Sequence, residues 1–421
     1  MTTRRNFLVL AGAGLALTAC RSRSSAAFSL QDVLLVETDR GLVRASSSGR
    51  QVIGHAATLS HDGRFLYSAR SDGLDQIDPV SGAVIRSDGY GGGWQPRAIS
   101  SDGRSCALTP ALPGAIPAGR DWSPILIAAP GGPRKFRLPG VIEPDAFTSD
   151  ASGLFVLEWL PATAPDHYRV RLLDLNSGEL HPLNTRDKTP VPPGAEEEMR
   201  GEGRQAVLSA DGAMLFTLYT HQPGHAHTRD LLSGRPGNAH AFVHVLHLTD
   251  GWAYCLDLPH PFGTSAPQAH ALAADARHIA VADLGAGKIA YADPSTLTIT
   301  RVLDVPPAAS AFSKPPSASA FSRPPAASAF SKPPAASAFL KLTATHAFVG
   351  GGDTVTALDR STDAVTASRS LPGPLRGLAL TPDGLRLHAA TADQVHCLKT
   401  PSGTPTGTTP IPSLQALHTA H

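Results

Sequence analysis

The sequence predicts an all-β fold, a β-propeller of four-stranded blades, from three observations. A turn containing Asp-Gly recurs before a short β-rich strand, as at Asp62-Gly63, Asp102-Gly103 and Asp383-Gly384. Glycine supplies the positive φ that such a hairpin turn requires. A second polar turn follows each third strand, as at Asp174–Gly178, and helical periodicity is nearly absent. Four short strands in units of roughly 40 to 60 residues are typical of propeller blades.

Counting the second strand of each unit predicts eight blades. The first unit, Val33 to Gly54, has three strands and no leading strand, and the tail 413–418 could supply it. The ring would then close with both termini in one blade. Seven blades remain the alternative, because the seventh unit lacks Asp-Gly and the tail is a weak strand pattern. The predicted second strands start near Val33, Phe65, Ser105, Leu154, Met214, His278, His346 and Leu385.

The two turns also carry a resemblance to a known family. Ser60-His61-Asp62-Gly63 has the form (S/T)-x-D-G, and Asp78-Pro79-Val80-Ser81-Gly82 has the form D-x-x-(T/S)-G. This pattern resembles the YVTN and WD-type propeller repeats and covers residues 32–421 as one domain. The resemblance implies the fold and leaves the function open, since such propellers include binding modules, lactonases, quinoproteins and scaffolds.

The N-terminus has the layout of an export signal. Paired Arg4 and Arg5 precede a short apolar run, Val9 to Leu17, and Cys20 follows Leu-Thr-Ala. The run is too short for a membrane span, which needs about 20 residues. These residues resemble a twin-arginine signal joined to a lipobox.

The resemblance implies removal of residues 1–19 and lipidation of Cys20, with 20–31 as a tether. The protein would then lie in the cell envelope, on the outer side of the cytoplasmic membrane, held there by its lipid anchor only. The alternative is an ordinary signal peptide with an incidental cysteine.

Composition excludes some partners. The chain has 36 Lys and Arg against 35 Asp and Glu, so it lacks the excess of positive charge that would favour binding to nucleic acid. Cys106, Cys255 and Cys397 each stand in an apolar run, which favours buried free thiols over a disulfide with one odd partner. We expect a monomer.

The chain places its long connections on one face of the predicted disc. These connections join second to third strands or one blade to the next, and function usually lies in loops on a rigid scaffold. We therefore expect the working surface on this face, over units three to six, although insertions could also accumulate there without function. The long connections are Pro110–Pro124, Leu160–His167, Thr185–Gly203, His221–His240, Pro259–Pro267 and Val305–Ala338.

One connection contains a low-complexity tandem repeat of nine residues, 306–341. Four near copies follow one another, beginning with Pro306-Pro307-Ala308-Ala309-Ser310-Ala311-Phe312-Ser313-Lys314. Pro-Pro pairs among small residues favour an extended, solvated arm. Multiplication of an ordinary connection explains the repeat most simply; an adhesive arm is the alternative.

Aromatic and charged residues on the long connections are candidates for binding an envelope protein, a peptide or a glycan. Trp, Tyr and Arg are typical anchors of such contacts. The alternative is that the rings pack the bases of the loops. The candidates are Tyr90, Trp94, Arg120, Trp122, His167, Tyr168, Glu197 and His221.

A histidine-rich insertion suggests a metal site. His225, His227 and Asp230 could supply imidazole and carboxylate ligands for zinc or copper. The spacing matches no defined metal motif, and His244 and His247, three apart on a strand, point to opposite sides. Solvated or core histidines are the alternative, and no cofactor is predicted beyond this metal.

The leading hypothesis is a binding or scaffolding propeller that acts through its long-loop face without catalysis. No nucleophile elbow, paired-cysteine zinc site or phosphate-binding loop occurs in suitable context. The alternative is an extracytoplasmic enzyme of the lactonase or quinoprotein kind that uses a metal or cofactor. The export signal and the clustered His, Asp and Glu motivate that alternative.

Overall fold

The chain forms a ring of eight four-stranded antiparallel sheets, which confirms the predicted propeller and its eight blades. Arg4, Arg5 and Cys20 lie outside the described residues, as does most of the tandem repeat. The computed structural model describes residues 32–110, 117–200, 204–308, 312 and 337–421.

Each blade runs from an inner to an outer strand. Strands β1 (Leu34–Thr38), β2 (Gly41–Ser46) and β3 (Gly49–Gly54) belong to blade 8. Blade 1 contains β4 (Ala57–Leu59), β5 (Leu66–Ala69), β6 (Gly73–Ile77) and β7 (Val84–Gly89). Blade 2 contains β8 (Trp94–Ile99), β9 (Cys106–Pro110), β10 (Trp122–Ala128) and β11 (Arg134–Pro139). Blade 3 contains β12 (Val141–Phe147), β13 (Gly153–Leu160), β14 (His167–Asp174) and β15 (Leu180–His181).

Blade 4 contains β16 (Gln205–Leu208), β17 (Met214–Tyr219), β18 (Phe242–His247) and β19 (Ala253–Asp257). Blade 5 contains β20 (His270–Ala274), β21 (Ile279–Asp283), β22 (Lys288–Asp293) and β23 (Thr298–Asp304). Blade 6 contains β24 (Phe339–Leu342), β25 (His346–Gly351), β26 (Thr354–Asp359) and β27 (Val365–Ser370). Blade 7 contains β28 (Gly377–Leu380), β29 (Arg386–Ala390), β30 (Gln394–Lys399) and β31 (Thr404–Pro410), and β32 (Leu414–Ala420) completes blade 8.

Aspartate side chains hold the short turns between first and second strands. In blade 1 the Ser60 hydroxyl donates to Asp62 at 2.6 Å, and the same carboxylate accepts from the Arg64 backbone N–H at 3.1 Å. Gly63 has a φ of +75°, which a residue with a Cβ adopts only with strain. In the Asp-Gly turn, the aspartate therefore caps the turn with its side chain and the glycine provides the positive φ.

The ring closes as the tail predicts. Strand β32 pairs antiparallel with β1, with Leu34 opposite Ala420. Asp32 adds a second connection, because both of its carboxylate oxygens accept from Arg386, at 2.6 and 2.8 Å. The N-terminal end of the described chain is thus tied to blade 7 as well as to blade 8.

The core lies between neighbouring blades, where alternate side chains of each strand face the next sheet. Between blades 3 and 4 it includes the large buried rings of Trp159, Tyr168, Tyr219 and Phe242. The Tyr168 hydroxyl donates to that of Tyr219 at 2.9 Å. This packing gives the loops above blades 3 and 4 a rigid base.

Connections from second to third strands and from blade to blade emerge on one side of the disc, called here the long-loop face. Two of them define the site described below: residues 182–204, between blades 3 and 4, and residues 220–241, within blade 4. The latter contains α1 (Thr228–Ser233), and a 3₁₀ helix lies at Pro267–Ala269. Neither of these described helices has the length and apolarity needed to cross a bilayer.

Candidate functional site

Five ligand-type side chains converge beneath the long-loop face, at the boundary of blades 3 and 4. They form two overlapping groups that share Glu197, one with His225 and His227 and the other with His244 and Cys255. We call these five residues the Glu197 cluster. Three chain segments supply it: residues 182–204, residues 220–241 and the hairpin β18–β19.

His227 presents one ring nitrogen to the cluster because the other is held from behind. Its Nε2 lies 2.5 Å from Asp257 Oδ1, and Asp257 in turn pairs with Arg229. In the neutral ring, a carboxylate at Nε2 favours the tautomer that carries the proton there, which leaves a lone pair on Nδ1. Nδ1 lies 3.7 Å from Glu197 Oε1 and has no hydrogen-bond partner.

His225 approaches the same carboxylate from the other side. Its Nε2 lies 3.8 Å from Glu197 Oε2 and is likewise buried without a partner. The ring stacks on Phe242, with ring centres 4.5 Å apart and planes inclined by 25°. Glu197 itself is fixed at Oε1 by the Thr228 backbone N–H, at 2.9 Å.

His244 and Cys255 come from neighbouring strands. They stand directly opposite each other in the β18–β19 register, so their side chains share the face that packs on blade 3. Both side chains are buried. The Cys255 thiol donates to Glu197 Oε2 at 2.8 Å, which links the strand pair to the two loops.

The electrostatics of the cluster centre on the Glu197 carboxylate. Burial alone would raise its pKa, but His225, His227 and His244 outweigh burial and hold the pKa well below its usual range. Burial lowers the pKa of His244 to about 4, which keeps this imidazole neutral. Burial, and then the charge of Glu197, raise the pKa of Cys255 well above that of a free thiol.

His227 behaves differently. Burial opposes its charged form, yet the hydrogen bond to Asp257 and the neighbouring Glu197 together raise its pKa to about 9. A cation is thus favoured at this point of the cluster. The proton occupies a place that a metal ion could take.

The donor set fits a transition-metal ion. Zinc with tetrahedral ligands at about 2.0 to 2.3 Å separates neighbouring ligand atoms by roughly 3.3 to 3.7 Å. The two Glu197–histidine separations, 3.7 and 3.8 Å, are close to that value and too long for hydrogen bonds. The contact between Glu197 and Cys255, at 2.8 Å, would have to widen.

A cavity of about 370 Å³ opens on the long-loop face next to the cluster. His225 lines both the cavity and the cluster. The cavity wall carries charges of both signs, including Arg169, Arg200, Glu196 and Glu198. The remaining lining residues are His167, Gly194, Gln222, Pro223, Gly224, Ala226 and Leu231.

The predicted metal residues separate in the structure. His225 and His227 belong to the cluster, whereas Asp230 accepts from the His227 backbone N–H at 3.1 Å and caps α1. Asp230 is therefore placed as a helix cap rather than beside the other ligands. Sequence reasoning missed His244 and Cys255 as their partners.

Of the residues predicted for the binding face, Glu197 points inward to the cluster and His167 lines the cavity. His167 lies between two carboxylates, 2.5 Å from Asp166 and 3.3 Å from Glu198. Tyr168 is fully buried in the core, which corrects its assignment to a contact surface: its alternate position on β14 turns it inward.

His221 lies near other histidines instead of the cluster. Its ring centre is 6.5 Å from that of His240 and 6.3 Å from that of His270. Burial, followed by these two neighbours, lowers the pKa of His221 to about 4. It has a φ of +57°, an uncommon backbone conformation for a residue other than glycine.

The remaining aromatic candidates lie away from the cavity, over blades 1 and 2. Tyr90 and Trp94 pack partly buried on the blade core. Trp122 is exposed, with the Arg137 guanidinium 4.1 Å from its ring centre. Arg120 donates to the Ser123 hydroxyl at 2.8 Å, so it supports the base of its loop.

Another group with metal-ligand chemistry, Asp32, His388 and Cys397, lies at the ring closure. There the Asp32 carboxylate is already neutralised by Arg386 on both oxygens, and His388 Nε2 lies 2.8 Å from Asp32 Oδ2. A metal ion would have to displace the arginine. This group serves as a structural ion pair.

Comparison with known proteins gives structural likeness only. The sequence matches no protein family model and no curated protein. The fold is similar to apo AztD from Citrobacter koseri, with a TM-score of 0.52 and 10% identity over 93% of this chain and 97% of that chain. It is also similar to the dihydro-heme d1 dehydrogenase NirN in complex with DHE, with a TM-score of 0.47 and 15% identity over 92% of this chain and 75% of that chain. At 10% identity, the likeness to AztD shows the fold alone.

Proposed function

We propose that this chain is an exported, lipid-anchored propeller that binds a divalent transition-metal ion, of the zinc class, in the Glu197 cluster. One observation carries the proposal. Two buried imidazole nitrogens without hydrogen-bond partners, on His225 and His227, lie 3.8 and 3.7 Å from a single carboxylate, that of Glu197, which is 13% exposed.

The energetics of burial support a bound ion. A buried polar atom without a partner costs about 1 to 3 kcal/mol. A metal ion at the centre of the cluster would satisfy both nitrogens and the carboxylate at once. It would also occupy the place where Asp257 and Glu197 favour a positive charge, as the raised pKa of His227 indicates.

The chemistry of the donors favours zinc among the divalent metals. Imidazole and thiolate are ligands of borderline or soft character, which suit zinc and copper and are poor ligands for magnesium or calcium. The carboxylate of Asp257 behind His227 forms the carboxylate–histidine pair that accompanies such sites.

Metal content and titration test the proposal. We expect the native mass of the gently purified protein to exceed its denatured mass by one zinc-class ion, after allowance for the lipid. Cobalt substitution should give a thiolate-to-metal absorption band, because Cys255 becomes a ligand.

Two matched variants define the site. Cys255→Ala should abolish the thiolate band and lower metal affinity, whereas Cys106→Ala, at another buried free thiol, should leave both unchanged. A protein that takes up no ion from zinc, cobalt or copper solutions, and gains no thermal stability from them, would refute the proposal.

The cellular location is proposed from the N-terminus alone. Arg4, Arg5 and Cys20 support export and lipid anchoring outside the cytoplasmic membrane. The denatured mass of protein from its own membranes should lack residues 1–19 and carry a lipid increment. A mass without that increment would contradict the anchor.

A second candidate function is binding of an envelope peptide, protein or glycan on the long-loop face. The cavity favours it, since Arg169 and Arg200 stand beside Glu196 and Glu198 in one recess suited to a polar ligand. Binding to peptide and glycan arrays should weaken in Arg200→Ala. Equal binding by the variant, or none by the native protein, would count against this function.

A further inference from the structure

We infer that the cavity beside the Glu197 cluster is the route by which the metal ion enters and leaves, so that the bound ion is exchangeable. The inference rests on the proposed metal site and concerns how that site is reached. It assigns the cavity to the hydrated ion and makes His225 the ligand that links the cavity to the cluster.

The position of His225 carries the argument. Among the described residues of the cluster, His225 is the one that also lines the cavity. The other two histidines and Cys255 are each 3% exposed or less. His225 is therefore the proposed ligand at which the cavity and the cluster adjoin.

Stacking fixes the orientation of the His225 ring. Phe242 lies against the face of the His225 ring, and the ring of His227 meets it edge-on with centres 4.8 Å apart. These contacts hold the imidazole plane with Nε2 3.8 Å from Glu197 Oε2.

Three consecutive glutamates, 196–198, also support movement of the ion from the cavity to the cluster. Glu197 points into the cluster, whereas Glu196 and Glu198 on either side line the cavity. Glu196 is paired with Arg169 at 2.5 Å, whereas Glu198 is 55% exposed and lies 3.3 Å from His167. Glu198 therefore supplies negative charge at the mouth.

The cavity is large enough for an ion that keeps its water. A cavity needs about 10 to 15 Å³ to admit one water, so a volume of about 370 Å³ has room for an ion together with its bound waters. A hydrated divalent ion could enter and lose its water stepwise to the protein ligands. Gly194 and Gly224 in the wall leave open space where a Cβ would stand.

Two neighbouring leucines of α1 provide a matched test. Leu231 lines the cavity, and Leu232, which is also exposed, does not. Leu231→Trp should partly fill the cavity and slow both zinc uptake and zinc release about tenfold, while Kd stays within about twofold. Leu232→Trp should leave both rates unchanged. Rates are measured on the full chain by stopped flow, with a fluorescent zinc chelator as competitor.

A second pair tests the charge at the mouth. Glu198→Gln should slow uptake about two- to threefold at low salt, and the difference should vanish at high salt because the field is screened. Glu179→Gln, at a carboxylate that is also exposed and near a histidine, is the control. If Leu231→Trp alters Kd by distorting the site, the comparison of Glu198→Gln with Glu179→Gln decides whether the ion passes through the cavity.

The outcomes separate the inference from the proposed function. A native protein that binds no metal refutes both. A native protein that binds zinc, with rates that respond neither to Leu231→Trp nor to Glu198→Gln, keeps the metal site and overturns the cavity as its route.

Discussion

Removing the carboxylate behind His227 tests the site without touching a proposed ligand. Asp257→Ala deletes the acceptor that lies 2.5 Å from His227 Nε2. The ring would then be free to carry its proton on Nδ1, the atom that faces Glu197. Asp257 is thus a positioning residue, and its loss should weaken metal binding.

The expected loss follows from what such partners contribute elsewhere. Loss of a carboxylate behind a metal-binding histidine costs about 10- to 100-fold in affinity, or about 1.4 to 2.8 kcal/mol. Because Asp257 is 44% exposed, the apo protein should lose no more than about 1 kcal/mol of its free energy of unfolding.

Competition with a chromophoric zinc chelator measures the affinity, and thermal unfolding with and without zinc gives an independent readout. A purely structural role would lower the apo Tm and leave the zinc-induced rise in Tm intact. The proposed role predicts the reverse: a nearly normal apo Tm and a smaller rise with zinc.

Asp250→Ala is the matched control, because Asp250 on the same blade pairs with Lys188 at 3.1 Å and lies 3.8 Å from His247. It should bind zinc as the native protein does. Native-like affinity in Asp257→Ala, or an equal loss in Asp250→Ala, would refute the reasoning.

Three further predictions concern the scaffold. The Ser361 hydroxyl and neighbouring backbone N–H groups lower the pKa of Asp359 to about 2. Its stabilisation is therefore present above about pH 4 and lost as pH falls towards 2, so Asp359→Asn should flatten the acid slope of unfolding free energy; an unchanged slope contradicts this. Asp32→Ala should destabilise the ring by about 2 kcal/mol in urea unfolding, because Arg386 loses the carboxylate that accepts from it through both oxygens and, being 30% exposed, is only partly compensated by water; a change under about 0.5 kcal/mol would oppose it. Deleting three copies of the repeat in 306–341 should leave Tm within about two degrees, since closure entropy changes slowly with loop length; a large drop would show that the repeat is structural.

The propeller could be derived from the sequence because its signals are local. The Asp-Gly turns and the strands behind them lie within a few residues of one another, and the backbone requires those residue types there. Ring closure was also predictable, because Val33 to Gly54 lacks a first strand and the tail after 413 supplies one. Even the long-loop face followed from strand order alone.

The cluster could be derived only in part. His225 and His227 stand close together in sequence and suggested a metal, but Asp230, three residues on, is used to cap α1. Cys255 has the sequence context of an ordinary core thiol. Its partner Glu197 is 58 residues away, on a connection from the previous blade.

Turns, strand order and the closing strand were thus determined by the sequence itself, since each depends on neighbouring residues or on a simple repeat. The meeting of Glu197, two loop histidines and the His244–Cys255 pair was decided by tertiary structure. It depends on the register of β18 with β19 and on how blade 3 packs against blade 4. Those distances are set by side-chain packing across a blade boundary, which no local pattern encodes.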